Sequence, residues 1–171
     1  MASLSVKTHM RAALLILSDK GSVGERQDLS GPALRAWLTQ RQVEVEECVI
    51  LPDEEEMIVA YLAHTADMCR VDLIITCGGT GVSPRDRTPE ATLKVVERQV
   101  PGLAEAMRMS STKNHPAALL SRAVAGIRGE TLILNVPGSP QAALENLEAI
   151  WAAIPHAVAK IQGDTRDCAP V

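Results

Sequence analysis

The stretch Val71 to Val96, VDLIITCGGTGVSPRDRTPEATLKVV, constrains this chain more than any other. It opens on Leu73-Ile74-Ile75, a short apolar run bounded by Asp72 and by glycines, which is the pattern of a strand buried on both faces. Gly78, Gly79, Thr80 and Gly81 follow. Glycines at this density allow a sharp turn and let another group lie against the backbone N–H groups. Arg85-Asp86-Arg87 forms a charged loop. Thr88 then offers a side-chain cap, Pro89 suits the first helical position and Glu90 suits the positive helix end. Strand, glycine turn, charged loop and helix start, in that order, make an anion site at the carboxyl end of a sheet strand. The familiar phosphate signatures are missing: GxGxxG from Gly79 puts Pro84 at the last glycine, and GxxxxGK[ST] occurs nowhere. A tight strand-to-helix turn also needs glycine for geometry alone, so the glycines by themselves leave both readings open. The adjoining charges favour the anion site.

The remaining elements suggest what surrounds it. Ala12 to Leu17 is a second all-apolar run ending in Ser18-Asp19-Lys20-Gly21, polar residues where a strand meets a loop. Turn and cap chemistry explains Ser18 and Asp19 as well as ligand contact does. Ser30-Gly31-Pro32 starts a helix whose buried stripe is Leu34, Trp37 and Leu38. Val43 to Leu51 alternates with glutamates and then runs apolar, a strand placed toward a sheet edge. Asp53 with Glu56 is a capping-box-like helix start, yet Asp53 also lies at a strand's carboxyl end, like Asp19 and Asp86. Ile58, Tyr61, Leu62, Thr65 and Met68 give that helix its face.

Leu93, Val96 and Val100 extend the helix begun at Pro89 until Pro101-Gly102, and a short helix then buries Leu103, Ala106 and Met107. A polar loop from Ser110 to His115 precedes a single helical turn at Ala117 to Arg122. Ala123 to Gly126 and Thr131 to Val136 flank Arg128-Gly129-Glu130 as a hairpin, so at least one strand pair is antiparallel. Asn135-Val136-Pro137-Gly138-Ser139-Pro140 repeats the strand, glycine turn and helix start, with Ser139 as cap. A long amphipathic helix follows, split at Pro155 and ending near Gly163. Residues Met1 to Met10 and Asp164 to Val171 read as loose ends.

Strands alternating with helices predict a three-layer α/β/α fold with a mostly parallel sheet and one antiparallel hairpin. The 171 residues suit a single domain with its core at about 12–163. Only 2% of residues are aromatic and there is no Phe, so stacking platforms for bases are scarce; with a net charge of −4 this argues against nucleic-acid and anionic-membrane partners. No apolar run reaches membrane-spanning length. Cys48, Cys69, Cys77 and Cys168 show neither CxxC nor zinc spacing, and with no signal peptide legible a cytoplasmic location with reduced thiols is expected. Cys77 fits a small buried residue better than a nucleophile.

Aspartates among phosphate-binding glycines usually hold a divalent cation, because carboxylates alone repel the anion. No Ser-His-Asp or Cys-His pairing is legible. Phosphoryl or nucleotidyl transfer by positioning and electrostatics is therefore favoured.

Thr76-Cys77-Gly78-Gly79-Thr80-Gly81 and Arg85-Asp86-Arg87-Thr88-Pro89-Glu90-Ala91-Thr92 together resemble the TxGGTG…RDxTPEAT pattern of the molybdopterin adenylyltransferases. Pro52-Asp53-Glu54, Leu120-Ser121-Arg122 with Ala125 to Gly129, and Asn135 to Pro140 match further segments, and the order agrees from about Leu14 to Gly163. The resemblance implies that the terminal phosphate of molybdopterin attacks the α-phosphorus of Mg-ATP and releases pyrophosphate. It implies Asp53 and Asp86 as catalytic aspartates and magnesium ligands. Gly78, Gly79, Thr80 and Gly81 would cradle the nucleotide phosphates; Asn135, Pro137, Gly138 and Ser139 would form the nucleotide-pocket wall. Ser18, Asp19, Ser111 and Ser121 would be substrate-side residues. A homotrimer and a downstream molybdate-insertion protein are implied partners. The alternative is a relative on the same fold that binds molybdopterin with little or no adenylyl transfer.

Overall fold

The computed structural model describes residues 9–166. Its centre is a six-stranded sheet in the order β2-β1-β3-β6-β5-β4. Strands β1 (Met10–Leu17), β2 (Val43–Leu51), β3 (Leu73–Cys77) and β6 (Thr131–Val136) run parallel, while β5 (Ala125–Arg128) lies antiparallel to β6 and to β4 (Arg98–Gln99). The fold is the expected one, with β2 at a sheet edge.

Side-chain alternation divides the apolar strands into two cores. Leu14, Ile75 and Leu134 are in register across β1, β3 and β6 and face one side. There they pack on helices α2 (Ser30–Gln40), α5 (Pro101–Thr112), α6 (Pro140–Ile150) and α7 (Ile154–Ile161). Leu15, Ile74 and Ile133 face the other side, against α3 (Glu55–His64) and α4 (Thr88–Val95). Every one of these strand residues is fully buried, at roughly 1.5–3 kcal/mol per large aliphatic side chain. A short helix, α1, occupies Asp19–Ser22 after β1. Trp37 packs edge-on against Trp151 at 4.9 Å, and Arg41 stacks over Trp37. The last helical segment breaks at Trp151–Ala153, a 3-10 turn just before Pro155.

Several local expectations are corrected. Helix α4 stops at Val95, and Val96 turns extended. Glu97 N–H and Val100 N–H donate to Ile127 O and Ala125 O, both at 2.8 Å, so the open edge of β5 captures a segment that periodicity assigned to helix. Gly126 permits this, because a Cβ there would stand 2.7 Å from Val96 Cγ1. Leu93 is exposed, and Ala91, Thr92 and Val95 are buried in its place. Met68 is also exposed, in a π-helical turn over Thr65–Cys69 that ends on left-handed Arg70. Ala106 faces outward while Ala104 is buried. The single turn before β5 is a 3-10 helix at Pro116–Leu120.

Neither expected cap on the two acidic helix starts forms. Helix α3 begins at Glu55 with no side-chain cap, which leaves the Asp53 carboxylate outside the helix. Helix α4 begins at Thr88 itself, and the Thr88 hydroxyl donates instead to Gly78 O at 2.9 Å, fastening the helix to the glycine turn. Ser139 does cap α6, accepting from Ala142 N at 3.1 Å. The expected loose start lies mostly outside the described residues, as do Cys168 and the last part of the tail.

Candidate functional site

The carboxyl ends of β1, β2, β3 and β6 open onto a cavity of about 730 Å³. This is where an open parallel sheet presents polar loops to a ligand. Ser18, Asp19, Asp53, Gly78 to Gly81, Asp86, Gly138 and Ser139 all line it. Five separate chain segments thus converge on one space.

The glycine turn is built for close approach. Gly78 and Gly79 have φ of 114° and 63°, values that side-chain-bearing residues rarely adopt. A Cβ on Gly79 would lie 2.8 Å from Asp53 Oδ1, and one on Gly81 would lie 2.8 Å from Asp86 Oδ2. The absence of these two side chains makes room for the two carboxylates.

Asp53 is held by its backbone, with its amide N–H donating 3.0 Å to Asp19 Oδ1. Its own Oδ1 is buried without a hydrogen-bond partner. Burial, reinforced by the negative charge of Asp19, pushes the Asp53 carboxyl above the usual carboxylate range. Asp19 moves the other way, held low chiefly by Arg85. Arg85 Nε and Nη2 donate to both oxygens of Asp19 at 3.1 and 2.8 Å, and Nη2 also pairs with Glu54 at 2.9 Å. Asp86 accepts from Ser83 N at 2.8 Å. Ser18 caps α1, accepting from Gly21 N at 3.0 Å, while also lining the cavity; both of its expected roles are compatible.

A second cavity of about 390 Å³ shares Thr80, Gly81 and Ser139 with the first. Ser111, Ser121 and Pro137 line it. Ser111 is nearly buried and accepts from Asn146 Nδ2 at 2.8 Å. The common wall puts two ligand-sized spaces side by side on the glycine turn.

Asn135 lines neither cavity. It is fully buried, its Nδ2 donating at 2.9 Å to both Thr76 Oγ1 and Thr92 Oγ1, and its Oδ1 accepting from Val124 N at 3.1 Å. It ties β6 to β3, α4 and the chain before β5, behind the site. Cys77 is likewise buried, its thiol pushed up to about 12 by desolvation and donating to Pro137 O at 3.1 Å.

Sequence reasoning missed three basic residues. Lys20, in α1, and Arg26, in the loop after it, line the first cavity from a stretch whose irregular sequence gave no signal. Arg122 reaches the glycine turn from a distant segment, so local pattern could not reveal it.

Chemically, the first cavity offers glycine N–H groups, the cationic Lys20 and Arg26, and four aspartates, Asp19, Asp28, Asp53 and Asp86, of which the last two face the glycine turn; such a set suits a polyphosphate with a divalent cation. No group of three or more acidic, histidine or cysteine side chains is arranged to hold a metal among the described residues. An ion can also be held by one or two carboxylates together with substrate phosphates and water. The unpartnered Asp53 Oδ1 fits such an ion, since an acceptor buried alone costs stability. No helix of the described residues is long and apolar enough to cross a membrane.

The chain is similar in sequence and in fold to known proteins. A family profile described as "Probable molybdopterin binding domain" matches residues 13–156. The molybdopterin adenylyltransferase of Helicobacter pylori strain J99 is 44% identical over 153 residues, covering 88% of this chain and 87% of that protein. The Escherichia coli K12 molybdopterin adenylyltransferase is 38% identical over 175 residues, covering 94% and 90%. Among solved structures, the molybdopterin biosynthesis enzyme MoaB of Thermus thermophilus superposes with a TM-score of 0.86 at 50% identity, covering 91% of this chain and 98% of that one.

Proposed function

The chain belongs to the molybdopterin adenylyltransferase family, and from that premise we propose that it transfers AMP from Mg-ATP to the terminal phosphate of molybdopterin. The observation that carries the reading is the placement of Asp53 and Asp86 against Gly79 and Gly81, on a turn shared by two cavities. The larger cavity takes ATP, with its triphosphate along Gly78 to Gly81. Lys20, Arg26 and Arg85 offset its charge. The smaller takes the pterin, with Ser111 and Ser121 among its polar contacts.

An oxygen of the molybdopterin phosphate forms a bond to the α-phosphorus of ATP. The bond from that phosphorus to the α,β-bridging oxygen breaks, and pyrophosphate leaves. The protein supplies position and charge, and no covalent enzyme intermediate is needed. Asp53 and Asp86 would hold the magnesium, which neutralises charge on the transferring phosphoryl group. Asp53 must be ionised to do so, against the burial that favours its neutral form. Pro137 and Gly138 hold the wall between the two substrates, and Ser139 directs the start of α6 toward them.

The product would pass to a molybdate-insertion protein in the cytoplasm, with the active form a homotrimer. The test is pyrophosphate release with ATP, magnesium and molybdopterin. Release that requires the pterin, with adenylylated molybdopterin seen by mass spectrometry, supports the reading. Tight pterin binding without release overturns it in favour of a binding protein.

A further inference from the structure

Arg122 precedes β5, with Ser121 of the second cavity beside it in sequence. Its backbone N–H donates to Thr80 O at 2.9 Å. Its guanidinium then spreads over the loop that carries Asp86: Nε donates to Gly81 O at 2.7 Å and Nη2 to Asp86 O at 2.6 Å. The remaining nitrogen, Nη1, pairs with Glu90 in the first turn of α4. One planar side chain therefore grips the start of the 81–86 loop, its end, and the helix that follows.

The grip has a consequence for the carboxylate. Gly81 faces Asp86 Oδ2, and the loop between them also presents Arg85 to Asp19. A rigid body of loop and helix start fixes where the Asp86 oxygens stand. Displacement by an ångström at such a group costs on the order of a hundredfold in rate. Only a guanidinium has donors spaced to reach these acceptors together; a lysine ammonium is a point charge on a flexible stem. The same residue joins the walls of the two cavities, because Ser121 lines the second and Thr80 and Gly81 line both.

We propose that Arg122 is a positioning residue for adenylyl transfer: it holds the 81–86 loop so that Asp86 faces the substrate phosphates, and it does so by geometry that charge alone cannot replace. This rests on the proposed adenylyl transfer for its kinetic part, but not for its structural part.

The test uses full-length protein with Arg122→Lys, Arg122→Gln and Arg122→Ala. Amide hydrogen exchange over residues 80–87 is measured without any turnover. Exchange there should quicken roughly tenfold in all three variants, with the central strands unchanged. In pyrophosphate release, kcat should fall by roughly thirtyfold or more, while KM for ATP stays within about threefold. Arg122→Lys should be no better than Arg122→Gln, and millimolar guanidinium should partly restore Arg122→Ala where methylammonium does not.

Arg122→Lys with more than half of the parental kcat, or unchanged exchange at 80–87 in every variant, overturns the proposal. If Arg122→Ala does not fold, the lysine and glutamine variants decide. If the parent protein releases no pyrophosphate while exchange quickens as described, loop positioning stands and the adenylyl-transfer reading fails.

Discussion

The Asp53 amide N–H donates 3.0 Å to Asp19 Oδ1, while the Asp53 carboxylate keeps one oxygen buried and unpartnered. One aspartate thus anchors the backbone of another and opposes its ionisation. In the folded chain the Asp53 pKa is raised, chiefly by burial, whereas the unfolded chain ionises at the ordinary value. Between those two values the folded state holds more protons, so stability falls as pH rises through that window. Above it, the penalty is complete. Asp53→Asn carries no such penalty. It should raise the Tm at pH 7.5, and the gain should vanish as the pH drops below the carboxylate range. The same variant should lose nearly all pyrophosphate release. Thermal melts across pH check the first outcome, and a lower Tm at pH 7.5 would count against the burial penalty.

The parent enzyme's pH profile follows from the same group. If Asp53 holds magnesium as proposed, its carboxylate must be ionised, so kcat/KM for Mg-ATP should fall as acidity increases through a pKa above the usual carboxylate range. Asp19, held low by Arg85, stays ionised through that interval. A profile that stays flat down to ordinary carboxylate pKa values would remove Asp53 from the titrating step.

Gly79→Ala tests the turn. Its φ of 63° is unfavourable for alanine, and the added methyl would collide with Thr88 Oγ1 and press on Asp53 Oδ1 at 2.8 Å. The expected cost is about 1–3 kcal/mol of stability, with a loss of ATP binding measured by titration calorimetry. Gly129→Ala is the control. It also has positive φ but meets nothing within 4 Å of its added Cβ, so it should lose some stability and keep ATP affinity.

How much of this was legible follows physical lines. Buried strands announce themselves because Leu73-Ile74-Ile75 must be apolar on both faces, and glycines beside them because Gly78 and Gly79 need positive φ. Asp53 was visible as a strand-end carboxylate, but its sequence fits a helix cap equally well, and only the position of Glu55 as the first helical residue removes the cap. The helix expected through Val100 failed because an open strand edge outcompetes local periodicity, and no local pattern reports an edge. Arg122 acts across 36 residues on Asp86, a relation created by folding. The family resemblance implied Asn135 as a pocket-wall residue; its side chain turns inward, toward Thr76 and Thr92.

Arg85→Gln separates charge from fold. The Arg85 side chain is 54% exposed, so its ion pair with Asp19 contributes little to stability. Its positive charge, however, is held on Asp19, which lines a cavity suited to a triphosphate. Stability should change little, while KM for ATP rises roughly tenfold, as for loss of one charge-assisted contact. The excess over the parent KM should shrink at high salt, where the parent interaction is itself screened. Kinetics at two ionic strengths with parallel melts check this.

Asn135 gives the opposite separation. Its removal leaves the two threonine hydroxyls able to donate elsewhere, Thr92 to Thr88 O at 2.8 Å and Thr76 to Leu134 O at 3.5 Å. The Val124 N–H, however, loses the carboxamide acceptor it uses at 3.1 Å. An orphaned buried donor and a small cavity together should cost Asn135→Ala about 2–3 kcal/mol. In a domain of this size that lowers the Tm by roughly 4–12 °C. Because the side chain lines neither cavity, ATP affinity at a temperature where the variant is folded should stay within about threefold of the parent. A contact residue on the nucleotide wall would behave in reverse, with affinity falling tenfold or more while the Tm holds. Calorimetric ATP titration beside a thermal melt distinguishes the two, and the second pattern would mean that Asn135 turns toward the nucleotide when it binds.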